Sequence, residues 1–192
     1  MYTTNIMPAI ARFVSLWYNN RVICGEKIGT IVKEDVKVEK MLITGVAKDN
    51  NVTRISVIGL EDIPGVAFKL FSLLGQNNIN VDIILQSVGR DGTKDITFTV
   101  SRDQSADAVA ALEAMKDILT YKNIKVDESV CKVSIVGAGM ESNPGVASKM
   151  FEALYDAGIN IQMISTSEIK ISVLIDAKYA DSAVSAVHDK FI

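Results

Sequence analysis

The chain has 192 residues, with 48% apolar and 22% charged residues. It is long enough for one large domain or two small ones, burying about 70% of its unfolded surface if packed as one body, and too apolar for a disordered, collagenous or coiled-coil chain. A net charge of −3 and a pI near 5.2 argue against a nucleic-acid partner, because phosphate backbones demand clustered Lys and Arg.

The first residues, Met1 to Pro8, lack the basic and apolar regions of a signal peptide. No apolar run approaches the length of a bilayer span. A cytoplasmic location is expected, with Cys24 and Cys131 as reduced thiols. Met7–Tyr18 reads as a helix and Val22-Ile23-Cys24 as a short strand. Residues 1–40 form an N-terminal segment unlike the rest, a remnant or a linker, and residues 41–52 carry an apolar stretch, expected as a strand, with no obvious partner beside it in sequence.

From Thr53 the chain repeats itself. Ile55-Ser56-Val57-Ile58-Gly59 returns as Val133-Ser134-Ile135-Val136-Gly137. Between Pro64 and Ser87, about eleven of twenty-four positions recur at an offset of eighty. Two copies of one unit are therefore expected, over residues 53–128 and 129–192.

In the first unit, Thr53–Gly59 alternates β-branched residues as a strand. Pro64 opens a helix, a position where its missing N–H goes unpaired anyway. Ala67, Leu70, Phe71 and Leu74 give that helix its buried face. Asn80–Val88 and Asp95–Val100 are strands joined through a turn at Arg90-Asp91-Gly92-Thr93. Ser105–Leu119 is a second helix and Ile124–Asp127 a fourth strand. The order βαββαβ is the ferredoxin-like split βαβ unit. The second unit repeats it from Cys131, with its last helix at Ala180–Lys190. No fourth strand follows, and the apolar segment at Val38–Lys48 is the candidate to replace it. The fold class is α+β, with antiparallel sheets and helices on one face.

The sharpest chemical signal is the doubled turn, Asp62-Ile63-Pro64-Gly65-Val66 and Ser142-Asn143-Pro144-Gly145-Val146. The N–H groups of a first helical turn are unpaired and partly positive. Gly65 and Gly145 leave the backbone open, and Ala67 and Ala147 keep the next positions small, so a carboxylate or phosphate would be held there by backbone alone. Ordinary capping by Asp62 or Asn143 is the competing reading. The following strands carry Asn80, Asp82 and Gln86 in one copy, and Asn160, Gln162, Ser165, Thr166, Ser167 and Glu168 in the other. Such residues suit the ammonium of an amino acid, or simply a solvated strand edge. The lone His188 has no nucleophile or metal ligand beside it in sequence. Gly137-Ala138-Gly139 fails the full dinucleotide-loop spacing. No metal site, catalytic motif or cofactor is expected.

These features resemble tandem ACT domains, and more closely the C-terminal regulatory region of aspartokinases. The resemblance rests on Ile31-Val32-Lys33-Glu34-Asp35, Ile43 to Asp49, Asp62 to Ala67, Ile79 to Gln86, Asp95 to Thr99, Val133 to Met140, Asn143 to Ala147, and above all Ile161 to Ile175. It covers about Gly29 to Ile192. It implies feedback control of aspartate phosphorylation by lysine, threonine or both, bound between ACT units, and homodimerisation through those units. It also implies that the segment around Thr44–Lys48 joins the second unit's sheet. Carried over by position, the effector contacts would be Asp62, Ile63, Pro64, Gly65, Val66, Ala67, Asn80, Val81, Asp82 and Gln86. In the second unit they would be Asn143, Gly145, Ala147, Asn160, Ile161, Gln162, Ser165, Thr166, Ser167 and Glu168. The amides of Gly65 to Ala67 would take the effector's carboxylate, with Asp82 or Glu168 facing an ammonium. Gln162 stands where Glu is frequent in the family.

The family's catalytic domain has no counterpart here. The chain is expected to be a regulatory subunit, a shortened chain or the product of a damaged gene, without turnover of aspartate by itself. An aspartokinase catalytic chain is a candidate partner. The alternative is an ACT-type assembly subunit that pairs with such a chain and senses nothing.

Overall fold

The computed structural model describes residues 43–89, 92–137 and 143–191. They fall in one compact unit, Leu42–Ile192. The expected helix at Met7–Tyr18, the strand at Val22–Cys24 and parts of the loops at Arg90-Asp91 and Ala138–Ser142 lie outside the described residues.

Eight strands and four α-helices are described. In chain order they are β1 (Gly45–Asp49), β2 (Thr53–Glu61), α1 (Val66–Gln76), β3 (Val81–Val88), β4 (Thr93–Val100), α2 (Ser105–Ala114), β5 (Asn123–Asp127), β6 (Val130–Val136), α3 (Val146–Asp156), β7 (Met163–Thr166), β8 (Lys170–Asp176) and α4 (Ala180–Phe191). Two antiparallel sheets result, ordered β3-β4-β2-β5 and β1-β6-β8-β7.

The two sheets have the same plan but draw their outer strand from opposite directions in the chain. In the first, β5 follows α2 and pairs with β2. In the second, the chain reaches α4 with no strand after it among the described residues, and β1 takes the matching place. Gly45 lies opposite Val136 and Asp49 opposite Lys132. Thr44 adds a backbone N–H bond of 2.7 Å to the Val136 carbonyl.

Alternation along the strands separates two faces. In the first sheet Ile55, Val57, Ile96, Phe98 and Val100 pack against Leu70 and Leu74 of α1 and Leu112 of α2. In the second, Val133, Ile135, Ile171, Val173 and Ile175 pack against Met150 and Leu154 of α3 and Ala183 and Val187 of α4. A third cluster joins the repeats: Ile83 from the first, and Val52 from the link between β1 and β2, meet Val130, Met163 and Leu174 from the second. That contact lies on the helix-free face of the second sheet, since Leu174 points away from its neighbours Val173 and Ile175. Ile171 to Ile175 are consequently all buried.

Two local expectations need correction. Helix α2 ends at Ala114, not Leu119; Met115 to Ile118 continue as turns, and Leu119 still reaches the core at 2% exposure. Pro64 is not the first helical residue. It sits in the turn, and α1 begins at Val66 behind Gly65, whose φ of 93° is left-handed.

Candidate functional site

Each helix start is built alike. Gly65 and Gly145 are the N-caps of α1 and α3 at φ 93° and 95°. Only glycine takes that conformation without strain. Neither helix has a side-chain hydrogen bond at its glycine cap or an acidic residue in its first turn, and the positive end of each helix dipole favours an anion. Asp62 does not cap α1. It is drawn sideways to Lys94, with Nζ 2.6 Å from a carboxylate oxygen. A Cβ placed on either glycine meets nothing within 4 Å among the described residues, so no described side chain packs against that position. Gly65→Ala is therefore expected to cost about 1 kcal/mol of stability through backbone strain alone, measured as a lower urea midpoint at constant slope.

The polar residues before β3 are placed by a different device. Gln104 bridges the entry to β3: its amide donates to the Asn78 carbonyl at 2.9 Å and accepts from the Asn80 N–H at 3.1 Å. Asn78 itself takes a left-handed φ of 55°. The ladder between β3 and β4 then shifts register between Val81 and Ile84. Such a bulge re-aims side chains. The Ile83 N–H freed by it donates to Thr99 Oγ1 at 3.0 Å. Ile83 is buried between the repeats, and Asp82 beside it meets Lys132 of β6, Nζ to Oδ2 2.5 Å. Lys132 Nζ also reaches Asp49 at 3.1 Å. Burial works against the Lys132 ammonium, but hydrogen bonds to Asp82 and Asp49 outweigh it and raise its pKa above the ordinary lysine value. These groups border a cavity of about 330 Å³, lined also by Asn51, Asn80 and Ser101.

The expected contacts thus sort into two groups at opposite ends of each repeat. Asp62, Ile63, Pro64, Gly65, Val66 and Ala67 lie where β2 ends. Asn80, Val81 and Asp82 lie level with its start, since Val81 and Thr53 both pair with Val100. Eight residues of strand separate the two levels, roughly 25 Å. Gln86 lies between them, exposed on the outer strand β3. The second repeat divides in the same way. Asn143, Gly145 and Ala147 share an end with Ser165 and Thr166 of β7 and with Ser167 and Glu168 of the turn after it, while Asn160, Ile161 and Gln162 precede β7 at the other. Ser167 closes that turn, its N–H 2.7 Å from the Lys170 carbonyl. One unit therefore does not bring the Gly65–Ala67 amides and Asp82 to a single ligand.

Lys132 and Asp49 escaped the sequence reading. A lysine in Cys131-Lys132-Val133-Ser134 alternates onto the outward face and reads as solvated; only the contact between repeats makes it central. Cys131 is a free, buried thiol whose pKa burial pushes up. Cys24 lies outside the described residues. Among the described residues, no three His, Cys, Asp or Glu side chains converge as a metal site, and no helix is long and apolar enough to cross a membrane.

The ACT domain family matches residues 55–115 and 133–191, one match on each repeat. The regulatory subunit of aspartate kinase from Thermus thermophilus, solved in its ligand-free form, superposes with a TM-score of 0.74 at 42% identity, covering 79% of this chain and 99% of that one. The chain belongs to the aspartokinase regulatory family, with tandem ACT domains. A crystal structure of aspartokinase alpha and beta subunits agrees, with a TM-score of 0.73 at 47% identity over 78% of this chain and 98% of that one. The aspartokinase of Mycolicibacterium smegmatis is 46% identical over 171 residues, covering 86% of this chain and 41% of its own length. The chain thus spans about two fifths of the curated relatives it matches.

Proposed function

We propose that this ACT pair senses a feedback amino acid, lysine or threonine or both, and thereby controls the phosphorylation of aspartate by an aspartokinase catalytic domain or chain in the cytoplasm. The observation that carries this reading is a helix N-terminus without a side-chain cap at one end of each repeat, with Asn80 and Asp82 at the other end of the first repeat, Asn160 and Gln162 at the other end of the second, and Glu168 at the helix end of the second. A free amino acid presents both complementary charges, a carboxylate for the helix start and an ammonium for Asp82 or Glu168.

A second copy supplies the missing proximity. β3 is an outer strand, with Ile84, Leu85 and Val88 exposed by 50%, 41% and 86%. β7 is the outer strand of the other sheet, with Ile164 exposed by 41%. An exposed apolar strand edge is a template for another strand. Antiparallel pairing of such edges lays the start of one outer strand beside the end of another, where the helix N-terminus lies. The effector would then bind between copies, and its binding would change how the copies are held.

Isothermal titration of the full chain with lysine, with threonine and with both tests this. Saturable binding is expected, with a stability gain of about 2.7 kcal/mol at one hundred times the dissociation constant. Flat titrations from a folded chain would reject sensing. They would favour the second reading, an assembly subunit that only pairs with a catalytic chain; the solved alpha and beta subunits of the similar aspartokinase motivate it. Capture of a catalytic chain without amino-acid binding would then decide for that reading.

A further inference from the structure

Lys132 is the only described cation placed against Asp82, and its two ion pairs span the repeats: Asp82 belongs to the first, Asp49 and Lys132 to the sheet of the second. Its side chain is 15% exposed, against 42% for each aspartate. The ammonium is held inside, while both carboxylates keep an open side toward the cavity. Ile83, next to Asp82 in the chain, and Val52, which lines the same cavity, belong to the apolar joint with Val130, Met163 and Leu174. Asp82 and Ile83 are the two residues displaced by the bulge in β3, so the ion pair and the joint are set by one backbone feature.

A carboxylate that pairs with an internal ammonium is not free to pair fully with an external one. We propose that Lys132 is an internal stand-in for the effector's ammonium: it clasps the two repeats through Asp82, and an effector that takes Asp82 displaces it. This rests on the sensing role proposed above and adds how that site is regulated. With Asp82 engaged by ligand, Lys132 keeps only Asp49, within its own sheet, and the polar link between the repeats opens. Binding is thereby converted into a change at the joint between the ACT units. The exchange also selects for ligands with an ammonium, because an uncharged analogue cannot replace the lost ion pair.

The test compares the full chain with Lys132→Met, titrated with lysine and with threonine. Methionine keeps an unbranched apolar stem of similar length but removes the ammonium and its charge. The variant is expected to bind an effector about tenfold more tightly, because Asp82 no longer has an internal competitor, and the gain should vanish when Asp82→Asn is added. In the unmutated chain, the ¹⁵N resonance of the Lys132 ammonium should shift on saturation. If the unmutated chain binds while folded Lys132→Met binds no tighter, the stand-in role is wrong and sensing survives. If neither binds either amino acid, sensing fails and the inference with it. Should Lys132→Met not fold, Lys132→Arg, which keeps the charge and grips a carboxylate with two N–H groups, is expected to weaken binding; unchanged affinity would overturn the proposal.

Discussion

Replacing Phe98 with alanine is expected to cost about 3–5 kcal/mol of stability, the range for emptying a fully buried aromatic site. Phe98 is 0% exposed and lies on the inner strand β4, opposite Ile55 of β2 on one side and Ile84 of β3 on the other. Its ring stands edge-on to Phe71 of α1, at 5.8 Å between centroids and 73° between planes, an arrangement that adds to simple burial. The surrounding sheet cannot collapse into the void, because its neighbours are tied by ladder hydrogen bonds on both sides. Urea unfolding should show the midpoint falling at constant slope. Phe68→Ala is the control: at 76% exposure it should change stability by no more than about 0.5 kcal/mol. Equal effects from the two substitutions would mean that Phe98 is not the centre of this core.

Removing residues 1–50 is expected to unfold the second repeat while the first persists. The cut deletes β1 and with it the whole ladder from Gly45–Val136 to Asp49–Lys132. It takes Ile43, 4% exposed, out of the second core. It also removes the ion pair between Lys48 and Asp181 at the start of α4. β6 would become an outer strand although its residues are largely buried, leaving unpaired backbone groups beside an apolar surface. The first repeat loses none of its own strands or helices. Two readouts separate the repeats. Amide exchange should accelerate in β6 and β8 and stay slow in β2 and β4. The Cys131 thiol, buried in the full chain, should label rapidly in the shortened one. Unchanged protection of β6 would show that β1 is dispensable.

Much of the fold was legible because both repeats carry short-range patterns that depend only on the chain's own geometry. Alternation in Ile55–Gly59 and Val133–Val136, and helical spacing through Leu70 and Leu74, mark the elements directly. The recurrence at an offset of eighty marked two similar units before any contact was known. Boundaries were less legible where one residue serves two roles. Pro64 is favourable at a first helical position, yet Gly65 in the left-handed region takes over the start of α1 because the chain must turn sharply out of β2. Leu119 has the spacing of a helical core residue and is buried, but from a turn beyond the end of α2.

The candidate site divides along the same line. Residue types at Asp62, Gly65, Asn80, Asp82, Asn160 and Glu168 pointed to an ammonium and a carboxylate, because charge and backbone openness are properties of single residues and short turns. Their mutual placement was not legible. The length of β2, nine residues, separates groups that stand only some twenty positions apart in sequence, so closeness along the chain says nothing of closeness in space.

What the sequence by itself determined is the repeated unit, its element types, the faces that become cores and the chemistry carried by the two turns. These follow from local periodicity and from the conformational limits of proline and glycine. What only the tertiary structure decided is non-local. β1 completes a sheet whose other strands begin more than eighty residues later. A bulge in β3 turns Asp82 toward Lys132. The face of β8 that would otherwise meet water is covered by Ile83 from the other repeat. Each depends on two distant segments arriving at one place, where burial and charge pairing decide together what no single segment can encode.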